Sequence, residues 1–250
     1  FLVKMGARVS YYIPERQSEG YGLNLEALEH IISDGASLVI TVDCGISSYD
    51  IVKAVCDRID IIITDHHTAP PQIPPARAVI NHKQPDCPYK DKNLSGVGVA
   101  FKLCQALWLR QCGEWYLDDL DIVALGTVAD VVPLVGENRI IVQAGLKKMN
   151  ELPNLGIDKL IDVAGLHDKT ITAGHIGFTL APRLNAAGRV THATRAVELL
   201  VTDDVDLAET IAQELQETNM ERQEIERSIH EEARTNVAAQ GHLADYVTVV

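Results

Sequence analysis

Apolar residues along the chain fall into two kinds of run, and the two alternate. Short unbroken β-branched stretches, Ser37–Val42 and Ile61-Ile62-Ile63, read as buried strands because breakers bound them on both sides. Between them, spacings of three and four predict helices. One runs from Leu25 to Ser33, with Leu28 and Ile31-Ile32 on one side, Asn24 as N-cap and Gly35 as its stop. A second runs from Tyr49 to Asp57. Ahead of these, Lys4-Met5-Gly6 reads as a helix end, and Arg8–Ile13 reads as a strand halted by Pro14. Strand, helix, strand, helix, strand is a βαβ series, which implies a parallel sheet with right-handed crossovers.

Beyond the loop at Pro70–Pro75, Ala78-Val79-Ile80 predicts another short strand, ending at Asn81-His82. Helices are then expected from Ser95 towards Gln111, over Asp118–Ala129, Asn138–Met149 and Gly156–Ala164, and from Thr172 to Leu180. The last helix is long, Val205 to Ala238. It has Leu207, Ile211 and Leu215 at intervals of four, a polar stretch over Thr218–Arg222, then Ile225, Ile229 and Ala233. Apolar at both ends and polar between, it suits a connector between two bodies. The fold class is therefore α/β: a parallel sheet with flanking helices, followed by a helical region and a long connector helix.

The formal net charge of −13 argues against a broad basic face that would hold nucleic acid by counterion release alone. Any such contact must come from a local channel of a few arginines. The five cysteines form no CxxC pair, which fits a reducing, cytoplasmic compartment. No stretch approaches the roughly eighteen unbroken apolar residues of a membrane helix, and Phe1–Lys4 has no signal-peptide character. The start at Phe1 and the apparent strand at Tyr246–Val250 read as the cut ends of a fragment.

Candidate chemistry gathers at strand ends, where parallel sheets carry their sites. The Ile61–Ile63 run stops at Asp65-His66-His67, and an acid beside two imidazoles is ligand chemistry for a divalent transition metal. The preceding strand ends at Asp43, which also suits a turn before Gly45. Asp130 is a charge inside the apolar run Ala129–Leu134; a metal ligand and a backbone-bonded turn acid both answer to that. Ser95-Gly96-Val97-Gly98 opens its helix with two glycines, permitting close approach either to a neighbouring element or to an anion. Arg183, Asn185 and Arg189 lie among small residues in Ala181–Arg189, as an anion pocket or as partners of acids.

Together, Val42–Ser48 (VDCGISS), Asp65–His67 (DHH) and Gly126–Leu134 (GTVADVVPL) resemble the DHH phosphoesterase family in order and spacing. Glu19–Leu23, Ser95–Leu103, Ala181–Arg189 and Arg222–Glu226 extend the resemblance to its single-strand-specific 5′→3′ exonucleases. The resemblance implies two-metal hydrolysis with Mn2+ or Mg2+ in DNA repair and recombination. Asp43 would bridge the metals, His66 and Asp130 would ligate one, and His67 would meet the scissile phosphate. Asp65 would orient the metal-site histidine, while Arg16, Arg183, Asn185 and Arg189 would contact DNA. The implied partners are single-stranded DNA with a 5′ end, a single-strand-binding protein and a helicase. Residues 1–200 would be the phosphoesterase domain, without its first strand and its Asp-x-Asp-Gly motif. The two-metal site would then be incomplete in this chain. Residues 201–241 would be the connector and 242–250 the start of a second domain. Two other readings stand beside this one: a family member acting on short oligonucleotides or small nucleotides, and a non-catalytic relative that only binds DNA.

Overall fold

Three β-branched runs form the sheet. β1 (Leu38–Val42), β2 (Asp60–Thr64) and β3 (Ala78–Ile80) pair in parallel in that order. Leu38 lies opposite Asp60, and Thr64 opposite Ile80. A computed structural model describes residues 1–14, 19–20, 22–190 and 193–239, the side chains of 189–190 and 238–239 excepted. α1 (Leu25–Ser33) starts where Asn24 Oδ1 accepts the Ala27 N–H at 2.7 Å. With α2 (Tyr49–Val55) it buries Leu28, Val52 and Val55 against Ile61 and Ile63. Burying such a side chain is worth about 1.5–3 kcal/mol, so this apolar layer fixes the strand register and therefore where the strand ends emerge.

α3 (Gly96–Cys112) lies against β1 and β2 and then against α4 (Leu120–Ala129). The helical body follows with α5 (Gly136–Glu151) and α6 (Leu155–Val163). A Cβ on Gly145 would sit 2.2 Å from the Leu120 carbonyl oxygen, so α4 and α5 meet backbone to backbone. α7 (Ala173–His175), a π-helical segment (Ile176–Leu180) and α8 (Ala181–Val190) run on without a break. α9 (Thr194–Val201) and the 35-residue α10 (Val205–Ala239) complete the described chain. Ala208, Ile211, Ala212 and Leu215 of α10 join the core formed by α4, α6 and α8.

The expected strand over Arg8–Ile13 is not formed. Residues 7–14 enter no ladder among the described residues, and Tyr11 and Tyr12 stay exposed; an extended segment without a partner has no sheet to stabilise it. The expected helix end at Leu180 is also corrected, since Pro182 sits inside a continuing helix. The π-helical geometry before it has the Ala181 N–H bonding Ile176 O. Arg183 Nη1 donates to the Thr179 carbonyl at 2.5 Å. α9 has no counterpart in the sequence reading. The tail from 240, with the strand expected at Tyr246–Val250, lies outside the described residues. No helix among those described is long and apolar enough to cross a membrane.

Candidate metal centre at the strand ends

β1 ends at Val42, and Asp43 turns the chain with φ +62°, a conformation uncommon outside glycine. Its N–H still reaches Thr64 O at 2.9 Å, so the ladder holds Asp43 beside the end of β2. The start of α3 closes on it from another side. A Cβ at Gly96 would lie 2.1 Å from Asp43 Oδ1; only glycine allows that approach, and the positive end of the helix dipole favours the carboxylate there. Of the two roles open for the glycine pair, Gly96 serves the approach to an anion, and the anion is a side chain of the protein. Ser95 Oγ, 2.9 Å from Thr127 Oγ1, ties this helix start to the last turn of α4. Asp130 caps that turn, its N–H bonding Gly126 O at 3.0 Å. Val131 after it takes φ +57°. Two non-glycine residues in the left-handed region thus lie at or beside one site, where such strain commonly collects.

Asp65 is buried and accepts four hydrogen bonds. They come from the N–H groups of Ile46 (2.9 Å), His66 (2.7 Å) and His67 (3.1 Å) and from His67 Nδ1 (2.7 Å). Burial alone would raise its pKa, but these donors outweigh burial and hold it below the ordinary carboxylate value. The carboxylate therefore fixes the His67 ring through Nδ1 and leaves Nε2 available on an exposed side chain. Expected to orient the metal-site histidine, Asp65 holds His66 only through its backbone.

His66 is buried, and its Nε2 lies 3.1 Å from Asp43 Oδ1 and 3.5 Å from Asp130 Oδ2, aligned for a hydrogen bond to neither. Contact with Asp43 raises its pKa above the usual histidine value; burial opposes this and the Asp130 charge reinforces it. Asp130 is itself pushed up, chiefly by burial, with His66 pulling down and Asp43 pushing up. An imidazole nitrogen without a well-aligned bond, lying between two carboxylate oxygens, is a set of lone pairs converging on a point. Asp43, His66 and His67 offer ligand atoms within 4.8 Å of one another. Carboxylate oxygen and neutral imidazole together suit a divalent cation. Cys44 takes no part: burial, with the charges of Asp65 and Asp43, pushes its thiol up to about 11.

The remaining expected residues stand apart from this cluster. Arg183 is half-buried; its Nε donates to Gln216 Oε1 at 2.7 Å, joining the π-helical segment to α10. Asn185 is exposed on α8 and, like Arg183, has no bond to the cluster among the described residues. Arg16 and the Arg189 side chain lie outside the described residues. His82 has no site role in the sequence reading. It lies buried, two residues beyond β3, with neither ring nitrogen hydrogen-bonded, and burial lowers its pKa. Its place after an apolar run, like that of His66, was the available signal.

A sheet of this topology with a carboxylate and imidazole cluster at its strand ends defines a class. The family described as "DHH family, N-terminal domain" matches residues 1–127, and the chain belongs to the DHH family. Among curated proteins it is 44% identical over 241 residues to the single-stranded-DNA-specific exonuclease RecJ of Bacillus subtilis, covering 96% of this chain and 30% of that protein. The RecJ of Escherichia coli is 41% identical over 243 residues, covering 92% of this chain and 42% of that one. A crystal structure of exonuclease RecJ bound to manganese superposes with a TM-score of 0.83 at 35% identity, covering 91% of this chain and 58% of that chain. The RecJ of Thermus thermophilus in complex with Mn2+ gives 0.78 at 33% identity, covering 91% and 33%. The chain spans less than half the length of these curated relatives.

Proposed function

We propose that this chain is the metal-holding core of a 5′→3′ exonuclease that degrades single-stranded DNA by two-metal phosphodiester hydrolysis. The observation that carries the reading is the convergence of Asp43 Oδ1 and Asp130 Oδ2 on His66 Nε2, at 3.1 and 3.5 Å, in a chain similar to RecJ over nearly its whole length. Mn2+ or Mg2+ bound there would supply Lewis-acid chemistry, drawing charge from phosphate oxygens and making water a better nucleophile.

The residues of the chain do the rest. Asp43 would be shared between the two ions, and His66 and Asp130 would hold one of them; further donors for the second ion would come from outside the described residues. His67 donates Nδ1–H to Asp65 and so presents Nε2 to the scissile phosphate; when protonated, Nε2–H donates to a phosphate oxygen and balances its charge. Arg16, Arg183, Asn185 and Arg189 follow the path of the strand, Arg183 with the added task of holding the π-helical segment. The proposal includes a cytoplasmic place, and single-strand-binding protein and a helicase as partners. It also includes the division into a phosphoesterase domain over 1–200, a connector over 201–241 and the start of a second domain at 242–250. What supports the connector is that α10 is buried over Ala208–Leu215 but exposes Met220, Ile225 and Ile229.

The test uses the full-length protein that carries this chain, with two substrates: a long 5′-phosphorylated single strand and a dinucleotide. Preference for the long strand, lost with a chelator and restored by Mn2+, is expected. Faster turnover of the dinucleotide would move the assignment to the small-nucleotide branch of the family. No turnover of either would leave DNA binding alone.

A further inference from the structure

Asp65, the only carboxylate adjoining the histidine pair in sequence, is engaged by His67 and by three backbone N–H groups. The His66 ring is therefore left without an orienting partner on its Nδ1, and that nitrogen is buried. A histidine that ligates a metal through Nε2 nearly always donates Nδ1–H to a carboxylate, a carbonyl or a water, which fixes its tautomer and ring angle. Buried polar atoms are seldom left unpaired.

Among the described residues the other buried ring nitrogens without a well-aligned bond are those of His82. β2 and β3 are paired in parallel with Thr64 opposite Ile80, and the Asp65 N–H continues the ladder to Ile80 O at 3.1 Å. His66 and His82 each follow that pair by two residues, past the ends of their strands, and both rings are buried. The turn that carries His82 is pinned, since Lys92 Nζ donates to the His82 carbonyl and, at 2.9 Å, to that of Cys87.

We infer that His82 is a positioning residue for the metal centre: it accepts the Nδ1–H of His66 through one bridging water, and so holds the Nε2 lone pair of His66 towards Asp43 and Asp130. The inference rests on the metal reading above. An imidazole suits the task because one ring nitrogen can accept a hydrogen bond without placing a carboxylate behind the cation. Its other nitrogen has the Lys92 backbone beside it.

The experiment is Mn2+ calorimetry on the full-length protein after chelation, with His82→Phe, His82→Gln and His66→Ala. His82→Phe fills the space but accepts nothing; its Mn2+ affinity should fall about 10- to 100-fold, the usual loss for an orienting partner. His82→Gln keeps an acceptor and should recover much of that loss, which a purely structural role would not require. Wild-type affinity in His82→Phe, alongside lost binding in His66→Ala, overturns the role of His82 and leaves the metal reading standing. Retained binding in His66→Ala overturns both. If His82→Phe does not fold, the wild-type protein loaded with Mg2+ decides by long-range proton–nitrogen NMR. A His66 Nδ1–H protected from exchange supports the inference, and a freely exchanging one overturns it.

Discussion

Asp65 and Asp130 are acids of one site held in opposite states. Four donors stabilise the Asp65 carboxylate below its unfolded pKa of about 3.9. Its contribution is complete above about pH 4 and is lost as pH falls through the lower folded value. Asp65→Ala removes the acceptor and strands its donors, so denaturant unfolding should show a loss on the order of 3 kcal/mol; a loss below about 1 kcal/mol would contradict the four bonds. Asp130 is the reverse case, its folded pKa raised mainly by burial. In metal-free protein it lowers stability as pH rises between its unfolded and folded values. Asp130→Asn should therefore raise the metal-free melting temperature at pH 7 while weakening Mn2+ binding. A lower melting temperature would show that the Asp130 charge stabilises the fold. Asp43, His66, His67 and Asp130 could all be singled out in the sequence, because charge at the end of an apolar run is costly unless it binds something. Which ring Asp65 would grip could not, since two adjacent histidines differ only in the direction each side chain leaves the backbone.

At the scale of elements, local signals were legible and compensated ones were not. Asn24, Gly35 and the isoleucines of β2 each act within a few residues, and the elements they specify lie where the pattern puts them. Pro182 lacks the N–H that would continue a helix, yet α8 runs through it directly after a π-helical segment, an arrangement set by neighbours in space. Arg8–Ile13 has strand composition but no partner among the described residues, and composition carries no record of pairing. α3 offers a direct test of how an element sets the site. Gly96→Ala places a methyl 2.1 Å from Asp43 Oδ1, so the carboxylate or the helix must move, and Mn2+ affinity should drop by about 10-fold or more. Gly98→Ala meets Ser95 Oγ at 3.1 Å and the Leu94 side chain no closer than 3.5 Å, and should cost far less. Equal affinities in the two variants would mean that the approach of α3 does not shape the centre.

For the whole molecule, the excess of 35 acidic over 22 basic residues makes the general field unfavourable to a polyanion. Under the exonuclease proposal, binding of a strand depends on few contacts, each visible in the salt dependence. Arg189→Ala in the full-length protein should weaken binding of a 5′-phosphorylated single strand and flatten log K against log salt by about 0.7, one phosphate's share for a single strand. Mn2+ affinity should be unchanged. Coincident slopes would make Arg189 a structural residue. The long α10 adds a mechanical consequence. Its first half is clamped on α6 and α8 through Ala208, Ile211 and Leu215, down to buried Asn219. From there to Ala239 the helix extends roughly 30 Å at about 1.5 Å per residue. A tilt of about 10° at Asn219 would carry its far end about 5 Å, more than the spacing between donors at the metal centre. The packing of a few small side chains near Ala208 thus sets the aim of a lever arm, and small shifts in that packing are magnified along it.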